Sequence, residues 1–228
     1  IGRAPGGDML TAKAINENSL YSINEFPKQV VDLVGWLRDE LGEDHPFNSV
    51  KAMPQGDTCP EIWLLGSSDY SSALAAHLGV RFAFAHFINP FGGNAVSRQY
   101  RATFSPSFLE TQPTSMVCIF VICAESHEEA EYLASSIDHR RVMMATGKEG
   151  EILPSAEATQ WPYSEQEQQI IQRERSRIVL GTPESVKQQL SEIKNDFQAD
   201  ELMILTITGD YGTRIKSYEL IAEEFGLH

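Results

Sequence analysis

The stretch from Glu61 to Phe87, EIWLLGSSDYSSALAAHLGVRFAFAHF, constrains this chain more than any other. An apolar run from Ile62 to Leu65 breaks at Gly66 and passes the hydroxyls of Ser67, Ser68, Ser71 and Ser72. An alanine-rich segment of about Ser71 to Leu78 follows, then Gly79, then a second apolar run from Arg81 to Phe87. That order reads as strand, polar turn, helix, strand. Strand, helix, strand with very tight loops is the unit of a parallel sheet or barrel. The turn has a second property. Free N–H groups and the positive end of the helix dipole converge where the strand feeds the helix, and serine hydroxyls add donors, which suits a phosphate. Ser and Asp also cap helices with no ligand involved.

The same rhythm extends along the chain. Asp8 to about Ala14 reads as a short helix capped by Asp8. Phe26, Val30, Val31, Val34 and Leu37 recur at three and four, predicting a helix over Pro27 to Leu41 with Pro27 in its first turn. Phe47 to Pro60 has no period and reads as a loop. Asn94 to Phe104 reads as a helix, Ser115 to Ala124 (SMVCIFVICA) as a parallel strand buried on both faces, and Glu128 to Arg141 as a helix. Thr146 to Pro162 is irregular, the signature of a functional loop or an insertion. Ser164 to Arg177 is helical and ends near the apolar trio Ile178 to Leu180. In Gly181–Glu184, Thr182 should cap a helix carrying Pro183 at its first position, although GTPE also invites functional readings. Glu201 to Thr208 is the last strand and Thr213 to Phe225 the last helix. Four strands each followed by a helix predict parallel α/β architecture. A complete eight-fold barrel takes ~250 residues, so four units with an insertion read as the second half of one. Ile1 opens without Met, and IGRAPG looks like a strand end and its loop, so a piece of a longer protein is expected.

Charge narrows the function classes. With 32 acidic against 18 basic residues the formal charge is −14, which opposes a broad nucleic-acid or anionic-membrane surface but not a small anion held locally. Cys59, Cys118 and Cys123 suit neither a disulfide framework nor a zinc site, no metal is expected, and a reducing cytoplasm is the expected home.

IGRAPGGDMLTAKA, PEIWLLGSSDYSSALAAHLGVRFAFAHF, VLGTPESVKQQL and ADELMILTI followed by RIKSYELIAEEF together resemble the bacterial luciferase-like flavin-dependent monooxygenases. The closest look is to the subgroup with the same WLLGSS and FAFAHF signatures, and the match covers essentially the whole chain. The resemblance implies a (β/α)8 barrel that uses reduced FMN (FMNH2), or a related flavin, to activate dioxygen against a small organic substrate. It implies a flavin reductase as partner and a homodimer as the assembly. It also implies a single, N-terminally truncated barrel domain over 1–228, with Ile62, Arg81, Met116 and Leu202 opening the fifth to eighth strands, and an insertion or lid over 125–178 after the seventh. Carried over by position, Arg3, Ala4 and Pro5 would flank the flavin phosphate and ring edge, Ser68 and Ser71 would donate to the phosphate, and Gly66 and Ser67 would lie near the ring. Gly2 stands where luciferases proper carry a reactive cysteine, and their catalytic histidines belong to a portion preceding this sequence. His86, at the end of a strand, is then the candidate ionisable group, with a histidine bonded at the barrel rim as the plain reading. The rival to an enzyme is a non-catalytic flavin-binding or self-associating barrel fragment, and a third reading gives the phosphate site to another phosphorylated ligand.

Overall fold

The computed structural model describes residues 1–3, 9–15, 19–56, 58–148 and 151–227. Its elements in chain order are α1 (Met9–Ile15), α2 (Ser19–Arg38), β1 (Trp63–Gly66), α3 (Asp69–Leu78), β2 (Arg81–Ala85), α4 (Gly93–Thr103) and β3 (Ser115–Cys123). There follow α5 (His127–Ala145), α6 (Ser155–Ala158), α7 (Glu165–Arg175), β4 (Ile178–Gly181), α8 (Pro183–Phe197), β5 (Glu201–Leu205) and α9 (Tyr211–Glu224). Among the described residues no helix is long and apolar enough to cross a membrane. The chain forms two compact units, one of Ile1–Phe82 with Tyr100–Pro113, the other of Ala83–Gln99 with Thr114–His228.

In the first unit the Ile1 carbonyl accepts the Leu65 N–H at 2.7 Å, and Gly2 bridges Leu65 in parallel. The opening residues are therefore a strand neighbour of β1, as IGRAPG implies. On the other side of β1, Arg81 N–H donates to the Ile62 carbonyl at 3.2 Å. α3 ends where Gly79 turns left-handed (φ +61°) and its N–H returns to the Ala75 and Ala76 carbonyls, a conformation only Gly adopts without strain. Tyr100 is fully buried, and its hydroxyl donates to the Val80 carbonyl at 2.9 Å beside the Phe82 ring.

The second unit is built on β3, whose nearly continuous apolar sequence is buried along almost its whole length. It pairs in parallel with β5 over Met116 to Phe120 and with β4 over Phe120 to Cys123. Ala130, Leu133, Ala134 and Ile137 of α5 pack with Ile122, Ala124, Ile178, Leu180 and Ile207. Helix starts follow local chemistry: Ser126 accepts from Glu129 N–H, Ser164 and Glu167 form a capping box, and Thr182 caps α8 with Pro183 inside its first turn. The plain reading of GTPE as a helix start is therefore correct.

Three expectations need correction. Ile178 to Leu180, read only as an apolar trio beside the end of a helix, belongs to the strand β4, so the described residues hold five named strands rather than four. α2 begins at Ser19, which puts Pro27 in the interior of the helix and not in its first turn. α3 begins at Asp69, two residues before the expected Ser71, because the turn closes directly after β1. Asp8, read as a cap, lies outside the described residues.

Candidate functional site

The first unit assembles most of the residues singled out from sequence. Gly66 is the last residue of β1, Ser67 and Ser68 make the turn, and Ser71 sits in the first turn of α3. Ser68 is extended (φ −139°, ψ 163°) in the cap position, yet its hydroxyl does not bond to the helix N-terminus. The Asp69 carboxylate instead takes the Tyr70 N–H at 2.8 Å. The Ser68 hydroxyl is thus spared from the capping role that most serines at such positions fill. Gly66 is needed sterically: a Cβ there would overlap the Cβ and Oγ of Ser71. Arg3 comes to the same helix start from a distant point in sequence, its guanidinium stacked 4.0 Å from the centre of the Tyr70 ring. A cation–π contact of this kind fixes the arginine without using up its N–H donors. Arg3, Gly66, Ser67, Ser68 and Ser71 are therefore brought together, whereas Ala4 and Pro5 lie outside the described residues.

His86 belongs to the second unit, just past β2. It is 7 % exposed, its ring stands edge-on to Phe197 at 6.1 Å, and its Nδ1 has no hydrogen-bond partner among the described residues. Burial, aided by the positive charge of Arg177, pushes its pKa below the ordinary histidine value. The imidazole is accordingly neutral at pH 7 and takes up a proton only at some cost.

Sequence reading missed a second strand-to-helix junction, in this same second unit. A cavity of about 610 Å³ opens at the end of β5, between the turn from Thr206 to Tyr211 and the α9 side chains Arg214 and Tyr218, with Ile152 as its far wall. The Tyr218 hydroxyl accepts the Thr206 N–H at 2.9 Å, and the Arg214 guanidinium lies 6.0 Å from the centre of the Tyr218 ring. Burial works to raise its pKa, but the Thr206 donor and the positive charge of Arg214 outweigh burial and leave the hydroxyl more acidic than an ordinary tyrosine. The legible signal is Arg214 and Tyr218 four residues apart on one helix face directly after a strand.

The segment from Thr146 to Pro162 carries the short helix α6, and it is held to the rest of the unit at three points. Ser136 and Ser155 share a buried hydrogen bond at 3.1 Å, Trp161 stands edge-on to His139 at 4.6 Å, and Gly209 is so close to the Leu153–Pro154 backbone that a Cβ there would lie 2.8 Å from the Pro154 Cα. His139 reads in sequence as one of several histidines among charges, but it is 3 % exposed and neither ring nitrogen has a partner among the described residues. Burial lowers its pKa. Beside it Asp138 holds Arg175 at 2.6 Å, and burial raises the Asp138 carboxyl by more than that arginine opposes.

No protein-family model matches the chain. It is 38 % identical over 225 residues to the uncharacterised protein YceB of Bacillus subtilis strain 168, covering 99 % of this chain and 68 % of that protein. It is 35 % identical over 221 residues to a luciferase-like monooxygenase of Escherichia coli K12, covering 96 % of this chain and 64 % of that one. Among solved structures, that of apo-MsnO8 superposes over all of this chain and 68 % of its own, with a TM-score of 0.84 at 26 % identity. On these grounds the chain is a member of the luciferase-like monooxygenase family.

Proposed function

We propose that this chain is the C-terminal portion of a flavin-dependent monooxygenase that oxidises a small organic substrate with reduced FMN and O2. The observation that supports this reading most is the convergence of Arg3, Ser68 and Ser71 on the start of α3. The residues fit a phosphate monoester: a hydroxyl free of capping duty, a second hydroxyl drawn close by the missing side chain of Gly66, and an arginine already oriented by Tyr70. When bound, the flavin would supply the electrons that make dioxygen reactive. The chain's own work is to anchor, orient and keep water out. Ser68, Ser71 and Arg3 hold the phosphate, and Ser67 and Gly66 approach the ring. In the second unit His86, kept neutral by burial, is the group able to take up or return a proton, at an Nδ1 that has no partner among the described residues. Residues 146–162, within the 125–178 insertion, act as the lid of the intact enzyme.

The wider reading is a (β/α)8 barrel in which β1, β2, β3 and β5 are the fifth to eighth strands, acting in the cytoplasm as a homodimer supplied by a flavin reductase. FMN titration by fluorescence quenching tests the core of it. The unmodified chain should bind saturably, and Ser68→Ala with Ser71→Ala should weaken binding at least tenfold, with reduced-flavin-dependent oxygen consumption lost in parallel. FMN affinity unchanged by the double substitution would remove the phosphate from this turn.

A further inference from the structure

The cavity at the end of β5 has the composition of a site for a small carboxylate with an apolar tail, an inference that rests on the reading of the chain as a monooxygenase of small organic molecules. Its volume of about 610 Å³ lies within the range of small-molecule sites. One wall is apolar, made by Ile152, Ile204 and Ile207. Arg214, Tyr218 and Asp210 also line it.

The charges lining the cavity are not equivalent. Asp210 is spent on the helix: its carboxylate accepts the Thr213 N–H at 2.9 Å and the Thr213 hydroxyl at 2.8 Å, which holds its pKa below the usual carboxylate range. Arg214 makes no ion pair among the described residues, and its guanidinium lies 6.0 Å from the centre of the Tyr218 ring. The Tyr218 hydroxyl accepts the Thr206 N–H, so its own O–H is left to be donated in another direction. An arginine fork and a phenolic O–H side by side are matched by two carboxylate oxygens.

We infer that this cavity binds the carboxylate end of the substrate through Arg214 and Tyr218 and its aliphatic remainder against Ile152, Ile204 and Ile207. Ile152 then sets the length of tail accepted, because it belongs to the segment carrying α6 and not to the sheet.

Hexanoate and hexan-1-ol are the probes, followed by amide chemical shifts on the 228-residue chain. Hexanoate should shift the Thr206, Thr208 and Gly209 amides saturably, and hexan-1-ol should bind at least tenfold more weakly. Arg214→Gln, at an exposed helix position that the fold tolerates, should reduce hexanoate to the level of the alcohol. Ile152→Trp should abolish binding of both by filling the cavity. Shifts that map elsewhere, no saturable binding, or hexanoate affinity unchanged in either variant would overturn the assignment. FMN titration on the same samples separates the two readings: FMN bound with hexanoate unbound defeats this inference alone, whereas loss of FMN binding in the unmodified chain defeats the flavin reading and leaves the carboxylate result to stand by itself.

Discussion

Replacing Gly66 by Ala probes the entry to α3 most directly. The new Cβ would overlap both the Cβ and the Oγ of Ser71, while the Ser71 Cα stays at an ordinary 3.8 Å. Gly66 is not left-handed, so the cost is steric and not torsional. A hydroxyl could rotate away, but a Cβ is fixed by its backbone, so the first turn of α3 must shift. Overpacking of this kind costs about 1–3 kcal/mol. Against it stands a gain of about 0.4–1 kcal/mol from stiffening the unfolded chain. The net loss expected is about 1–2 kcal/mol, the difference of those two. Ser71→Gly removes both colliding atoms at a helix-propensity cost of about 1 kcal/mol, and in that background Gly66→Ala should be neutral or slightly stabilising. Ser71→Ala, which keeps the Cβ, should give little relief. Urea midpoints by far-UV circular dichroism on the two singles and their double, with m-values compared, should yield a coupling energy equal to the overpacking term, about 1–3 kcal/mol. Gly66→Ala costing as much in the Ser71→Gly background as in the unmodified chain would refute the claim that this glycine exists to admit that serine.

Two other outcomes follow from burial. His86 and His139 both have pKa values lowered from 6.5 chiefly by burial, so the unfolded chain binds more protons than the native one just below that pH. Their contribution to stability is therefore complete above about pH 6.5 and is lost as pH falls from there through the depressed native values. Urea midpoints should drop between about pH 7.5 and 5, and the drop should shrink in His86→Gln combined with His139→Gln; an equal drop in the double variant would assign the effect to other groups. The three cysteines divide by exposure: Cys59 is exposed, while Cys118 and Cys123 are buried with thiols pushed up to about 11 by desolvation. A disulfide reagent at about pH 8 should titrate one thiol rapidly in the native chain and three in denaturant, and rapid loss of more than one under native conditions would contradict the core assignment.

Legibility of this fold in its sequence tracks how local the determining interactions are. The unit from Glu61 to Phe87 can be read to within two residues because Gly66, Gly79 and the apolar runs act within a single turn of chain. β4 cannot, since Ile178 to Leu180 has neither period nor length; what makes it a strand is a partner nearly sixty residues earlier, Phe120 to Cys123. α5 shows the same limit for side chains. Asp138, His139, Arg140 and Arg141 form a charged run that reads as a solvated face, yet Asp138, His139 and Arg141 are buried. Their burial is supported by Arg175 on Asp138 and by the Glu174 carbonyl on Arg141 at 2.7 Å, groups on a helix more than thirty residues away.

The two strand-to-helix junctions make the point functionally. One stands out in the sequence because four serines crowd the start of α3; the other does not, because Thr208, Gly209 and Asp210 look like an ordinary turn and cap. Asp210 is indeed a cap, which satisfies the first turn of α9 and makes that helix end a poor anion site by itself. What marks the second junction is Arg214, one turn further on, which like Arg3 at the first has no acidic partner among the described residues. Capping chemistry can be read from three residues in a row, but whether a cation has been left unpaired depends on every carboxylate the fold brings near it. That information exists only once the chain is folded.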